Sequence, residues 1–507
     1  MIVQIPCDML AMCLMKTEKD ISLLTEADCK ELVGAYLKPI LINHPGAIYL
    51  NVCYRRSAVP SEVFSTFAYD ISIDENGYPA LDDCGISIKK AVVIPPDIQW
   101  VSPYHKVLLT VYNTLLSKGI DLCGIAMKII KAAAIPLYLS VRASDNHGWE
   151  GMGTEFLDKN SLPVNGRPDY SRGCVRNYFH NYIAELLGNY DPDGIEIDWL
   201  RAMPVIPNDM LGDYTIINNY MRQLKKTVSA FGKKISVRVF ATVQKNLDNG
   251  MDVCRWIADG SIDSFTAENF YIPTNFEIPI DEWRQKIAEK NINDNKYALY
   301  CGSDWAVSCG LPFSHYMTPA LIRGFASSCT ERGADDIYLF NLADCNPETT
   351  QMLNEDRGIL IDCYEARFAA AAEPDHGIRR YVYLSGCDKR YPITIAPGES
   401  KSITIYTGKP ASQYRFYLCS TEGNKISILI NGNPMSPLEE EPTIPGFEKP
   451  QEGEELPVRY YRGQFDNFVR YASAQNQKDI RYGYNTFLIT NLDTQVVSIS
   501  WIEIEVL

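Results

Sequence analysis

The stretch Asp193-Gly194-Ile195-Glu196-Ile197-Asp198-Trp199 decides how the rest of this chain is read. Side chains alternate along a β-strand, so Glu196 and Asp198 share one face while Ile195, Ile197 and Trp199 share the other. A strand this apolar is buried, and Asp or Glu is almost never fully buried unless paired or hydrogen-bonded. Two of them on one face mean either an ion network or an active site.

The flanking sequence turns that strand into part of a repeating pattern. Before it, Val175, Tyr178, Phe179, Tyr182, Ile183, Leu186 and Leu187 recur at helical spacing, and Gly188 fits a C-terminal cap. After it come a loop with Pro204 and Pro207, and a second helical run (Ile217, Tyr220, Met221, Leu224, Val228) ending at Gly232. The strand Ile235 to Phe240 follows. Further strands are predicted at Ala47 to Tyr54, Ile135 to Arg142, Ile262 to Phe270, Lys296 to Gly302 and Asp336 to Asn341. Thr318-Pro319 opens the helix before the last of these, and Gly333 closes it. Strands alternating with helices make a parallel β/α fold, here a (β/α)8 TIM barrel of class α/β. Seven strands are legible, and the eighth is expected between residues 91 and 116.

At 507 residues the chain exceeds a barrel of roughly 250–400 residues, so a second domain is expected. From about Ile393 onward the pattern becomes short alternating runs: Ser402 to Tyr406, Gln413 to Leu418, Ile426 to Ile430, Thr486 to Ile489 and Val497 to Val506. Asn431-Gly432 stands as a hairpin turn among them. The organisation read from this is a catalytic barrel over residues 1–370 and an all-β sandwich over 375–507. Pro437 to Pro457, rich in Glu and Pro, reads as a solvated loop within the sandwich.

A net charge of -15 and a pI near 5.0 argue against nucleic acid and anionic membrane surfaces as partners. No apolar run reaches the length of a membrane span. Met1 to Met15 is apolar but carries Asp8 and no leading basic residue, so it does not read as a signal peptide. The fifteen cysteines are scattered, with no C-x-x-C, and read as free thiols in a reducing compartment, the cytoplasm. Motifs for nucleotide, zinc-protease and serine-hydrolase chemistry are missing, and neither a metal nor a cofactor is expected.

In such a barrel the reacting groups stand at the C-terminal ends of the strands. Those ends supply Arg142, Asp145 and His147; Glu196, Asp198 and Arg201; Arg238; Glu268 and Asn269; Asp304; and Asn341. Trp149, Trp199 and Trp305 fall close by, and an indole face is a platform for the C–H face of a sugar ring. Carboxylates and aromatic rings together suit a carbohydrate substrate.

The strings Ser140-Val141-Arg142-Ala143-Ser144-Asp145-Asn146-His147 and Asp193 to Arg201 resemble the paired signatures of bacterial "family 10-like" glycosyl hydrolases. The resemblance spans roughly residues 45–345, and the C-terminal sandwich is similar to an accessory domain such proteins carry. It implies cleavage of a glycosidic bond in an oligo- or polysaccharide. The chitinase-type pattern D-G-x-D-x-D-W-E is also similar, but Leu200 stands where its catalytic Glu would be, so chitinase chemistry is not expected.

Glycoside hydrolysis needs two carboxyl groups flanking the scissile bond, about 5–5.5 Å apart for retention and about 6.5–9.5 Å for inversion. Glu196 and Asp198 lie on one strand and cannot flank it. Asp198, nearer the mouth than Glu196, is read as nucleophile or charge stabiliser, with its partner on another strand. Glu268 is the expected general acid, since Phe265-Thr266-Ala267 suggests apolar surroundings that raise a carboxyl pKa. Asp304 is the alternative partner, or a loop cap. Substrate contacts are assigned to Arg142, Asp145, His147, Trp149, Glu196, Arg201, Arg238, Asn269, Trp305 and Asn341, with Glu196 alternatively paired to Arg142 or Arg238. Trp199 has outward parity and is expected to pack against a helix. Two other functions fit the same residues. One is a non-catalytic glycan-binding protein, in which a carboxylate of the pair is salt-bridged or too far away. The other is a lyase on uronic acids, with Arg142, Arg201 and Arg238 holding the sugar carboxylate.

Overall fold

The computed structural model describes all residues except 95–102, 148–151, 164–165, 270–273, 305, 309–313, 342–366, 384–392, 409–412, 422–424, 436–467 and 477–479. Its first feature is a closed eight-stranded barrel. The strands are β1 (Ile2–Ile5), β2 (Ala47–Cys53), β3 (Leu137–Arg142), β4 (Gly194–Asp198), β5 (Lys234–Phe240), β6 (Ser264–Glu268), β7 (Ala298–Ser303) and β8 (Asp336–Leu339). Neighbours from β2 to β6 pair in parallel, and β1 closes the circle between β2 (Ile2↔Ala47) and β8 (Ile2↔Tyr338).

The eighth strand is thus β1, not a segment between residues 91 and 116. Ile2-Val3-Gln4-Ile5 is buried on both faces, so four residues carry no alternation for a period-2 reading to detect. The expected region instead holds the end of an exposed edge strand, Lys89–Ala91, pairing antiparallel with Tyr69–Ile71, and then the helix Pro103–Ser117. Leu108, Leu109, Val111, Tyr112, Leu115 and Leu116 give that helix its buried stripe.

The helix Gly173–Tyr190 buries the seven apolar residues read from the sequence, but it runs through Gly188. It ends where Asp191 turns left-handed (φ 45°). The helix Thr215–Ala230 buries the predicted stripe, and Gly232 follows at φ 71°. The helix Pro319–Glu331 opens on Thr318, whose hydroxyl accepts from the Leu321 amide.

Inside the barrel the lower layer is aromatic. The Tyr49 ring stacks on Tyr138 (4.5 Å between centroids) and meets Tyr338 edge-on (5.4 Å), with Ile2 and Ala47 beside them. Gly194 makes room for this layer, because a Cβ there would lie 2.3 Å from a Tyr138 ring carbon and 2.8 Å from the Lys234 carbonyl. With the floor filled by rings, the polar side chains of β3 to β6 are confined to the upper layers, toward the strand C-termini.

The C-terminal strands form two antiparallel sheets. One is built from β9 (Arg379–Tyr383), β10 (Ile393–Ile395), β12 (Gln413–Thr421), β15 (Phe468–Asn476) and β17 (Val497–Val506). The other holds β11 (Ser400–Thr407), β13 (Ile426–Ile430), β14 (Asn433–Pro434) and β16 (Gly483–Asn491). Phe416 of the first stacks on Phe487 of the second at 4.8 Å, among buried Ile403, Ile405, Leu418, Ile489, Ile502 and Ile504. These are the inner faces of a β-sandwich. Asn431 (φ 48°) and Gly432 (φ 88°) turn β13 into β14 with both central residues left-handed, the geometry a two-residue hairpin of this kind requires. The predicted loop Pro437 to Pro457 lies outside the described residues.

By internal contacts the chain divides into one unit of Met1–Phe270, Asp281–Tyr300 and Tyr338–Asn354, and another of Tyr271–Ile280, Cys301–Ile337 and Glu355–Leu507. The helix Pro319–Glu331 belongs to the second unit, where it approaches β9 at Gly324. A Cβ at that position would come within 2.0 Å of the Arg380 carbonyl oxygen. Among the described residues no helix is long and apolar enough to cross a membrane, and the ten cysteines are free thiols.

Candidate active site

Strand parity delivers three charged side chains to the top of the barrel from three consecutive strands. Asp198 (β4) and Arg238 (β5) are register partners, and Glu268 stands at the end of β6. Arg238 lies between the two carboxylates. Its Nε and Nη2 donate to Glu268 Oε2 (2.8 Å) and Oε1 (2.6 Å), and its Nη1 donates to Asp198 Oδ1 (3.1 Å) and Oδ2 (3.2 Å). The guanidinium carbon rests 3.5 Å from the centre of the Phe340 ring. The Leu200 amide also donates to Asp198 Oδ1 (2.9 Å). All three side chains are 2 % exposed, so this is a fully desolvated Asp–Arg–Glu triad.

The triad corrects the expected surroundings of Glu268. They are not apolar: a guanidinium takes both of its oxygens in a two-pronged pair. A carboxyl in that position presents both of its oxygens as acceptors. The signal that could have shown this is parity, since Arg238 points inward next to Thr266, two residues below Glu268.

Glu196 sits one layer deeper, register-paired with Ser140 on one side and Ser236 on the other. It pairs with neither Arg142 nor Arg238. Its Oε1 accepts from Ser140 Oγ (2.7 Å) and Tyr338 Oη (2.9 Å), while Oε2, fully buried, has no hydrogen-bond partner. Desolvation first, and the Asp198 charge second, push its carboxyl up to about 8 against the opposing pull of the two hydroxyls and Arg238. Burial thus favours the protonated form of Glu196. The folded state keeps its proton between about 4.5 and about 8 while the unfolded chain loses it. Stability from this group is complete below about 4.5 and falls as pH rises through that window, by up to ~1.4 kcal/mol per pH unit. Urea midpoints measured from about pH 5 to about pH 8 should show this slope, and Glu196→Gln should flatten it.

Beside the triad, Arg142 at the end of β3 is register-paired with Asp198, and its guanidinium carbon lies 4.1 Å from the Tyr54 ring centre. It is buried, and among the described residues its Nε and Nη1 have no hydrogen-bond partner. In the loop after β3, Asp145 accepts from both the backbone amide and Nδ1 of His147 (2.9 Å each). With Nδ1 protonated, His147 Nε2 is the acceptor for Arg201 Nη2 at 3.3 Å. Burial alone would raise the Asp145 carboxyl, but His147, Arg142 and Arg201 outweigh it and hold the group below the usual carboxylate range.

Asn269 and Asn341 are half-buried at the ends of β6 and β8. The Asn341 amide lies 3.5 Å from Gln4 Oε1, and its φ is 52°. Asp304, 4 % exposed just past β7, belongs to the second unit, where its carbonyl accepts from Thr274 Oγ1 (3.0 Å). Trp199 faces outward and packs edge-on against Tyr170 (5.1 Å) and Tyr220 (6.5 Å). Trp149 and Trp305 lie outside the described residues. The residues that the sequence reading did not single out are Ser140, Tyr338 and Phe340, all on inward positions of legible strands. Asp8, which acts on Arg142 and Tyr54, follows β1, whose four fully buried residues give no strand signal in the sequence.

No family model matches this chain, and neither does any curated protein. Among solved structures it is similar to a cycloisomaltooligosaccharide glucanotransferase from Paenibacillus sp. The identity is 8 %, over 99 % of this chain and 57 % of that one, with a TM-score of 0.33. It is also similar to a maltogenic alpha-amylase from Thermotoga neapolitana (11 %, 96 % and 97 %, TM-score 0.38). A chitinase from Chromobacterium violaceum is a third (12 %, 68 % and 95 %, TM-score 0.35). This chain spans little more than half the length of the Paenibacillus enzyme.

Proposed function

We propose that this chain is a glycoside hydrolase that binds a carbohydrate at the C-terminal mouth of its barrel. The observation that carries the reading is the triad: two carboxyl groups delivered by β4 and β6 and held in fixed orientation by the guanidinium between them. Asp198 is the carboxylate that meets positive charge developing at the anomeric carbon, either as nucleophile or as stabiliser. Its two fixed donors, Leu200 N–H and Arg238 Nη1, keep it aimed. Glu268 is a positioning residue that holds Arg238 from the far side. The proton for the leaving oxygen then comes from a group outside the triad.

A screen of aryl glycosides and oligosaccharides, with product anomers followed by NMR, tests the reading. Asp198→Asn should fold as the wild type does and lose at least about 10²-fold in turnover, since an amide neither attacks nor stabilises a cation. Wild-type turnover in that variant would remove Asp198 from the mechanism. The second reading, a glycan-binding protein that cuts no bond, draws support from the same salt bridges, because both carboxylates of the triad are already satisfied. Saturable oligosaccharide binding without release of product across the screen would favour it.

A further inference from the structure

Arg142 is a buried cation with hydrogen-bond donors to give. Arg238 has Nε, Nη1 and Nη2 engaged by two carboxylates, and Arg201 reaches His147. Among the described residues Arg142 makes no comparable bond. Its guanidinium carbon lies 4.1 Å from the Tyr54 ring centre, and both Nε and Nη1 are withdrawn from water without an acceptor there. Buried guanidinium N–H groups are nearly always satisfied in a native protein, so an orphaned pair at the mouth of a barrel marks where a ligand's acceptors belong.

The charge around it limits what that ligand can be. Asp8, Asp145 and Asp198 all act on Arg142, and Asp8 acts also on Tyr54 beside it. Among the described residues of the mouth, the guanidinium groups of Arg142, Arg201 and Arg238 face the carboxylates of Asp8, Asp145, Asp198 and Glu268. Positive charge is therefore already matched by negative, while hydrogen-bond donors are not. A uronate would bring a further carboxylate to a site with no cation left to neutralise it. A neutral sugar brings hydroxyl, ring or amide oxygens, which are acceptors without charge.

We infer that the barrel mouth selects neutral sugars over uronates, with Arg142 as the residue that anchors them through its unspent N–H groups. This rests on the carbohydrate reading of the site and sharpens it, and it removes the uronate-directed lyase as an alternative. The test measures binding, so it does not depend on turnover. The full chain is titrated, by saturation-transfer NMR and calorimetry, with neutral oligomers of glucose, xylose, mannose and N-acetylglucosamine, and with oligogalacturonate. At least one neutral series should bind at least tenfold more tightly than oligogalacturonate. Arg142→Met, with a wild-type melting profile, should lose at least tenfold in that affinity, and Arg142→Lys should lose less. Asp8→Asn, which takes one carboxylate out of the mouth, should raise oligogalacturonate affinity relative to the neutral series. It keeps the inference decidable if Arg142→Met does not fold. Oligogalacturonate binding as tightly as the neutral oligomers, neutral binding unchanged in folded Arg142→Met, or a ratio unmoved by Asp8→Asn would overturn the inference while leaving the carbohydrate reading standing. Binding of neither class would overturn both.

Discussion

Arg238→Met should destabilise the barrel by about 3–5 kcal/mol, because it leaves two buried carboxylates facing each other without the cation between them. Asp198 and Glu268 are both 2 % exposed, so water cannot replace the guanidinium. The loss should appear as a lowered urea midpoint in tryptophan fluorescence, to which the fully buried Trp199, Trp256 and Trp283 of the barrel contribute. Adding Asp198→Asn and Glu268→Gln to Arg238→Met should recover much of it, because a neutral trio has no charge left unpaired. No recovery in the triple variant would mean that Arg238 acts mainly through its packing on Phe340. A midpoint unchanged in Arg238→Met would show that the triad is not held as described.

Glu268→Gln should impair turnover of natural and dinitrophenyl glycosides alike, because its carboxylate orients Arg238, and through it Asp198. A general acid would behave differently: its loss typically costs about 10²- to 10⁴-fold on natural glycosides, while dinitrophenyl glycosides, whose leaving group departs without a proton, are largely spared. If Glu268→Gln shows that selective loss, the proton donor is Glu268 and its pair with Arg238 opens during turnover.

The strands were legible wherever a helix with a clear stripe separated them. The helices Gly173–Tyr190 and Thr215–Ala230 each span several turns, long enough for a 3.6-residue period to show, and they frame β4 without ambiguity. The sandwich was legible for a related reason: β11, β13, β16 and β17 alternate, and the Asn431-Gly432 turn has one backbone solution. β1 was not legible, because four residues buried on both faces have neither length nor alternation. Within the site, parity along β4 correctly put Glu196 and Asp198 inside and Trp199 outside.

What the sequence by itself determined is which side chains enter the barrel and at which strand ends they stand, since both follow from local period and from the order of elements along the chain. Which of those side chains bond to one another was decided only by tertiary structure. The stagger between neighbouring strands and the tilt of each side chain across the barrel are set by closure of the whole sheet. That closure put Arg238 against Asp198 and Glu268 together, gave Glu196 to Ser140 and Tyr338 instead of to an arginine, and left Arg142 over Tyr54 with donors unspent.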